Sequence, residues 1–312
     1  MSDSAVLDPA RAPAHSGSSV SNKASGKAAS WILTVSCPDT TGVVASVASF
    51  LAANHCLITE AQHFDDPFTN TSFMRTVFHD NGEGAPTLSQ LDASFGATVA
   101  PKFRMQWRFH EASRKCRTVL AVSKQGHCLN STLHRWSTGT LPIEVVAVVS
   151  NHQDMRSLTE WHGVPYYYLP VIDDRKEEQE RRMIDVFEKV DGELLVLARY
   201  MQILSAKACA YFAGRAINIH HSFLPGFKGA KAYHQAHARG VKLIGATAHY
   251  VTTDLDEGPI IEQEVARVDH TMNPEELVNI GSDLESVVLN RALKWHAERR
   301  IFANDGKTVV LK

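Results

Sequence analysis

An amide, an imidazole and a carboxylate stand out in the stretch 218–259. It opens Asn218-Ile219-His220-His221-Ser222-Phe223-Leu224-Pro225 and closes Thr252-Thr253-Asp254-Leu255-Asp256-Glu257-Gly258-Pro259. Residues 216–219 alternate like a strand, after a helical pattern that closes at Gly214. Asn218 and His220 lie two apart, so on an extended chain they face the same side. The strand is expected to end at His221 and Ser222, because Pro225 and Gly226 break the pattern. A neutral amide beside an imidazole at a strand's carboxyl end suits a polarised carbonyl. One donates to a developing oxyanion, and the other moves a proton near neutral pH. Asp256 follows another strand, 246–251, in a loop ending at Gly258-Pro259. A carboxylate there could order an attacking water and hold the charge state of the imidazole. Taken singly, Asn218 and Asp256 read as turn residues and His220 as a satisfied core histidine. Their succession on strand ends favours a site.

The elements that position these residues follow from periodicity. Residues 117–122 form a near-continuous apolar run, as a buried parallel strand should. A helix through Leu129, Leu133 and Trp136 ends near Gly139, and 143–149 is a second buried strand. A helix is expected over 155–161 with Asp154 as cap and Gly163 as stop, then a short strand over 166–170. A long amphipathic helix over 176–190, a buried strand over 194–198 and a helix capped by Ser205 complete the alternation. Such a pattern implies an α/β fold with a doubly wound, mostly parallel sheet. Ligands in these sheets sit at the carboxyl ends of strands, where Asn218, His220 and the loop 199–204 fall. The last helix is capped by Asn273, with Pro274 at its first position and Glu275 and Glu276 at its positive end.

A smaller domain precedes this one. Residues 31–36 alternate, and Cys37-Pro38-Asp39-Thr40-Thr41-Gly42 turns into a helix with Val43, Val47, Phe50 and Leu51 on one face. Residues 56–64 and 72–79 read as strands. Thr87 and Gln90 suit a capping box for a helix with Leu88, Leu91 and Phe95 inward. A fourth strand is expected over 103–109. The order βαββαβ gives an antiparallel, ferredoxin-like sheet with both helices on one face. The domain boundaries expected are a tail over 1–30, a small domain over 31–110, a linker over 111–116 and a large domain over 117–312. The tail is rich in Ser, Ala and Pro and poor in large apolar groups, so disorder is expected there.

Composition excludes some functions. The chain has 312 residues, 44% apolar and 21% charged, with a formal net charge of −2. A general nucleic-acid binder would show a basic excess. No apolar run is long enough to cross a membrane. Five cysteines are scattered without CxxC spacing, which fits reduced thiols in a cytoplasm. Sixteen histidines include no HxxxH pair on a clear helix with a nearby ligand, so no metal is expected.

The motif Asn218-x-His220-x-Ser222, Leu224-Pro225, Gly229, His249, Asp256-x-Gly258-Pro259 resembles the signature of the folate-dependent formyltransferase family. The likeness runs over 117–265. Four details resemble its formyltetrahydrofolate deformylase branch. These are Ser123-Lys124-Gln125-Gly126-His127-Cys128-Leu129, Ala198-Arg199-Tyr200-Met201-Gln202-Ile203-Leu204, the pair His220-His221, and Lys228-Gly229-Ala230-Lys231. The resemblance implies hydrolysis of 10-formyltetrahydrofolate to formate and tetrahydrofolate. It would balance the one-carbon folate pool and supply formate for purine synthesis. Asn218, His220 and Asp256 would be catalytic. Met201, Gln202, Ile203 and Leu204 would line a pterin slot. His249 would orient its neighbours there, or else be a core histidine. The folate is substrate, so no cofactor is expected.

Residues 31–109 resemble an ACT domain, a regulatory module that often binds an amino acid at its strand–helix turn. Asp39, Gly42 and Gln62 would form that site, although the Arg and Pro common at the turn are replaced by Thr40 and Thr41. Effector sensing and assembly of a homo-oligomer both remain open. Transfer of the formyl group to an amine acceptor is the alternative reaction, and a non-catalytic folate or amino-acid sensor is another. A transferase acceptor bearing phosphate needs an anion nest after the first large-domain strand. Here that turn has one glycine, with Lys124 and His127 as candidate anion ligands. A chelator is expected to leave turnover unchanged; loss of rate restored by added divalent metal would overturn the metal-free reading.

Overall fold

The computed structural model of the protein describes residues 29–81, 86–172, 175–226 and 232–312. The expected tail and the Lys228–Lys231 motif lie mostly or wholly outside the described residues. The small domain runs Ser30–Pro38 (β1), Val43–Ala53 (α1), Cys56–Asp66 (β2), Thr71–Asp80 (β3), Leu88–Thr98 (α2), Ala100–Phe103 (α3) and Gln106–Glu111 (β4). Its sheet has the order β2-β3-β1-β4, and every pairing in it is antiparallel. Alternate residues of β1, Trp31, Leu33, Val35 and Cys37, pack with Val47 and Leu51 of α1 and Leu91 and Phe95 of α2 in one core. Both helices therefore cover one face. The capping box forms as expected: Thr87 Oγ1 accepts from Gln90 N, and Gln90 Oε1 accepts from Thr87 N. The last strand starts later than its alternation suggests. Phe103 ends a short helix that carries Pro101 in its first turn, and Arg104 then turns left-handed with φ 53°.

Only residues 112–115 separate β4 from Cys116–Val122 (β5). The large domain continues His127–Ser137 (α4), Ile143–Ser150 (β6), Arg156–Trp161 (α5), Tyr166–Tyr168 (β7), Lys176–Lys189 (α6), Leu194–Leu197 (β8), Ala206–Tyr211 (α7) and Ala216–His220 (β9). It closes with Ala232–Ala238 (α8), Leu243–Tyr250 (β10), Ile260–Arg267 (β11), Pro274–Ala297 (α9), Ile301–Asn304 (β12) and Lys307–Val310 (β13). The seven-stranded sheet has the order β11-β10-β9-β8-β5-β6-β7. Strands β9, β8, β5, β6 and β7 run parallel. Then β10 runs antiparallel to β9, and β11, at the sheet edge, antiparallel to β10. Leu129, Leu133, Val288 and Leu289 bring α4 and α9 onto one face. Met183, Phe187, Ala208 and Phe212 bring α6 and the α7 segment onto the other. The helix α5 is entered through Met155 with no side-chain cap, so Asp154 does not serve as one.

The chain ends in a feature that periodicity does not show. After α9 the β12–β13 hairpin lies against the uncovered face of the small sheet. Phe302 stacks near Phe73 at 5.6 Å. Arg75, with a side chain 4% exposed, donates to the Glu298 carbonyl and pairs with Glu60. Arg300 reaches Glu60, Gln62 and the Leu311 carbonyl. Asn304 donates to Asp66 at 2.6 Å. On the other side, Thr308 donates to the Ile260 carbonyl of β11. The exposed pair Lys207–Glu177 is of the kind that contributes little. The arginine cluster is different, because its members are largely buried and share several charge-assisted bonds. Replacing Arg300 by Ala is expected to lower stability by about 2 kcal/mol and to raise protease cutting at 112–115. Unchanged urea midpoint and cutting rate would show that the hairpin does not join the domains.

Candidate active site

The reversal of the sheet edge builds the site. Since β9 runs antiparallel to β10, Asn218 lies directly opposite His249 and His220 opposite Thr247. Asn218 and His220 sit on one face, as their spacing requires. The β10–β11 connection then folds back over the end of β9 and delivers Asp256. Two backbone features force that path. Asp256 adopts φ 58°, a left-handed conformation that Asp tolerates better than most residues. Gly258 passes so close to β10 that a Cβ would stand 1.7 Å from the Tyr250 carbonyl oxygen. Tyr250 N donates to the Pro259 carbonyl at 3.0 Å and closes the loop.

His220 Nδ1 and Asp256 Oδ1 are 3.3 Å apart, with side chains 4% and 6% exposed. Burial pushes the Asp256 carboxyl up, but the hydrogen bond from His220 outweighs it, with the His249 ring 3.8 Å away, and the group is held well below the usual carboxylate range. Asp256 is thus ionised near neutral pH. His249 Nδ1 is 2.9 Å from the Tyr250 carbonyl, which can only accept. The ring therefore donates there, and its Nε2 accepts from Asn218 Nδ2 at 3.2 Å. One amide hydrogen of Asn218 is thereby held and the other is available for a substrate oxygen. His249 thus holds the Asn218 amide in place.

These groups face a cleft of about 270 Å³. Met201, Gln202, Ile203 and Leu204 line it together with Asn218, His220, His249 and Asp256. Met201 and Ile203 are half exposed at its mouth. The loop 199–204 is fastened at three points. Ser123 Oγ accepts from Met201 N at 3.0 Å while donating to Asn151. Gln179 Nε2 donates to the Tyr200 hydroxyl at 2.6 Å. Glu180 accepts from Ser205 N at 2.8 Å. Behind the cleft, Thr247 Oγ1 donates to the Ser222 carbonyl and accepts from Leu224 N, and Gln263 ties the same loop.

Below the site lies a buried polar cluster that sequence reasoning missed. Glu285 of α9, 1% exposed, meets His127 at 2.7 Å, Tyr233 at 2.9 Å and Arg199 at 3.3 Å. Burial pushes its carboxyl up, but His127, Arg199 and Tyr233 prevail and the pKa is lowered. The signal was a carboxylate inside the apolar stripe of α9 formed by Leu277, Val288, Leu289 and Ala292. Arg199 also donates to Gln125 through Nε and Nη2. His127 is thus engaged by Glu285, which leaves it unsuited to the role of anion ligand. His221, between cluster and cleft, is pushed down to about 4 by burial and then by Arg199 and His220. Among the described residues, His127, Cys128 and Glu285 bring ligand-type atoms within 4.8 Å of one another. The Arg199 guanidinium beside Glu285 disfavours a cation there. Burial drives the Cys128 thiol well above its ordinary value, so it is also no nucleophile.

Of the expected effector residues, Asp39 and Gly42 lie at the β1–α1 turn, where Gly42 takes φ 98°. Gln62 does not join them. It pairs with Arg75, which pairs with Thr34, four positions along β1 from Pro38. That is roughly 13 Å at strand spacing, and the Gln62 amide is engaged by Arg300 and the Lys312 carbonyl. Replacing Gly258 by Ala is expected to displace the Asp256 loop by an ångström or more and to cost turnover about 100-fold. Full turnover in that variant would show that the loop's position is immaterial.

The family model described as "Formyl transferase" matches residues 116–293. A formyltetrahydrofolate deformylase of Corynebacterium sp. is 46% identical over 281 residues, covering 90% of this chain and 98% of the relative. The crystal structure of a formyltetrahydrofolate deformylase from Burkholderia mallei is 50% identical, with a TM-score of 0.85 over 91% of this chain and 100% of that one. One from Pseudomonas syringae is 44% identical, with a TM-score of 0.88 over 93% and 96%. With full-length relatives this similar and a matching domain model, the chain belongs to the formyltetrahydrofolate deformylase family.

Proposed function

We propose that this protein hydrolyses 10-formyltetrahydrofolate to formate and tetrahydrofolate, with Asn218, His220 and Asp256 as catalytic residues. The observation that carries the reading is the ionised Asp256 beside His220 and Asn218, at the wall of a cleft whose other side is the fastened loop 199–204. In the reaction, water adds to the formyl carbon and the carbonyl electron pair moves to oxygen. The free Asn218 hydrogen and the His220 imidazole stabilise that oxygen. One such donor is worth about 3–4 kcal/mol in the transition state. The C–N bond then breaks, the nitrogen takes a proton, and formate leaves. A carboxylate held as low as Asp256 is a weak base. It orients the water, and proton transfer completes as charge develops, with His220 and Asp256 sharing the proton that the departing nitrogen needs.

Met201, Ile203 and Leu204 provide apolar walls for the pterin, while backbone groups and Gln202 offer hydrogen bonds to its edge. The chemistry as drawn uses no metal or cofactor. Water as acceptor is favoured over an amine because His127, a candidate anchor for an acceptor's phosphate, is paired with Glu285. The small domain serves as an ACT-type module for an amino-acid effector at the Asp39–Gly42 turn, for assembly into a homo-oligomer, or for both. Five free cysteines, all buried, fit a reducing cytoplasmic setting. There the reaction would balance the folate pool and supply formate for purine synthesis. No helix among the described residues is long and apolar enough to cross a membrane.

Incubation of the purified protein with 10-formyltetrahydrofolate alone is expected to release formate. Turnover only after an amine is added would make it a transferase, and binding without turnover a sensor. Replacing Asp256 by Asn, which tolerates the same left-handed backbone, is expected to remove most turnover and leave folate affinity within a few-fold. Full activity in that variant would contradict the role given to the carboxylate.

A further inference from the structure

A second cleft, of about 710 Å³, lies between the two domains, and the proposed reaction does not use it. One wall is the face of the small sheet turned toward the large domain, with Thr34 of β1 and Arg108 and His110 of β4. The opposite wall carries Arg299, just past the end of α9. Thr252 and Thr253 form part of the floor.

The charge of this cleft is one-sided. Arg108 and Arg299 line it, and no Asp or Glu does among the described residues. Neither arginine has a carboxylate partner within ion-pair distance among the described residues. Other arginines, among them Arg117, Arg135 and Arg215, also lack one, so what marks this pair is the shared cleft with its one-sided lining. The nearby histidine reports the same field. His110 is pushed down to about 4, first by burial and then by Arg299, Arg108 and Arg114. Two guanidinium groups facing one concave, partly enclosed space raise its potential and attract anions. Their planar forks match carboxylate and phosphate oxygens.

We propose that this interdomain cleft binds a small organic anion, whose carboxylate or phosphate oxygens lie between Arg108 and Arg299 with the Thr253 hydroxyl as a further donor. The site touches both domains, so an occupant bridges them. It also touches the loop that carries Asp256, because Val251, Thr252 and Thr253 line both this cleft and the catalytic one. The anion has two sources of one chemistry. It is either a free metabolite or the glutamyl carboxylates at the far end of the folate. The second source rests on the function proposed above.

The test uses the full chain at low ionic strength. Citrate and inorganic phosphate are titrated by calorimetry into the wild type and into R108A/R299A. Arg299→Lys is added as a variant that keeps the charge and loses the fork. Unfolding midpoints verify that each variant is folded. Free-anion binding that weakens about tenfold or more in the double variant supports the site with a metabolite as occupant. Failing that, a several-fold rise in KM for 10-formyltetrahydrofolate, absent for the 10-formyl substrate that lacks glutamate, supports it with the folate tail as occupant. No anion binding to the wild type, together with equal KM values for wild type and double variant on both substrates, overturns the proposal. Wild-type formate release is measured in the same preparations. Its failure would count against the reaction and leave the calorimetric result standing.

Discussion

Everything at the catalytic cleft depends on keeping one carboxylate ionised out of water. The Asp256 side chain is 6% exposed, and burial alone would favour its neutral form. Two imidazoles reverse that preference. His249 stands at the end of the strand that leads into the Asp256 loop, but His220 is distant in sequence, and the antiparallel turn of β10 onto β9 brings it to them. A purely parallel edge would have carried the next strand's end away from Asn218 and His220. The switch of direction at the sheet edge is therefore a functional feature. It converts two strand ends and a return loop into one cluster.

A second constraint operates one layer deeper. Glu285, Arg199, His127 and Tyr233 satisfy one another inside the large domain. A buried cluster of this kind adds little net stability against an apolar replacement, and leaving it half-satisfied costs much more. Its value here is positional. Arg199 starts the loop that walls the cleft and turns left-handed with φ 65°. By gripping Gln125 and Glu285, it ties that loop to the turn after β5 and to the longest helix. Ser123 does the same for Met201 through a single hydroxyl that both donates and accepts. The cleft wall is thus set in part by Ser123, Gln125 and Glu285, which do not line the cleft themselves.

Much of this was legible from residue types. The alternation of buried strands and helices, the cap at Asn273, the capping box at Thr87 and the placing of Asn218 and His220 on one face of a strand all follow from local rules. These features are written within a few residues. What periodicity missed was long-range. The pairing of β10 with β9 depends on register, and β11 is an edge strand whose mixed residues Glu262, Gln263 and Glu264 dilute its alternation. Phe103 belongs by alternation to β4, yet the short helix that carries Pro101 takes it. Gln62 reads as a ligand residue through the ACT resemblance, and its hydrogen-bond partners, Arg300 and Lys312, lie too far along the chain to be seen by local rules. The threefold role of Thr247, a buried threonine in an apolar strand, carried no local mark at all.

The terminal hairpin has a consequence for how the molecule is made. Asn304 and Asp66, which meet across the domain contact, are 238 residues apart in the chain. At roughly 5–20 residues per second of synthesis, tens of seconds separate the emergence of the two. During that time the small sheet stands with Phe73 and Arg75 facing solvent. A nascent chain in this state presents a sticky flat surface, open to another copy or to a chaperone, and only the late arrival of β12 and β13 retires it.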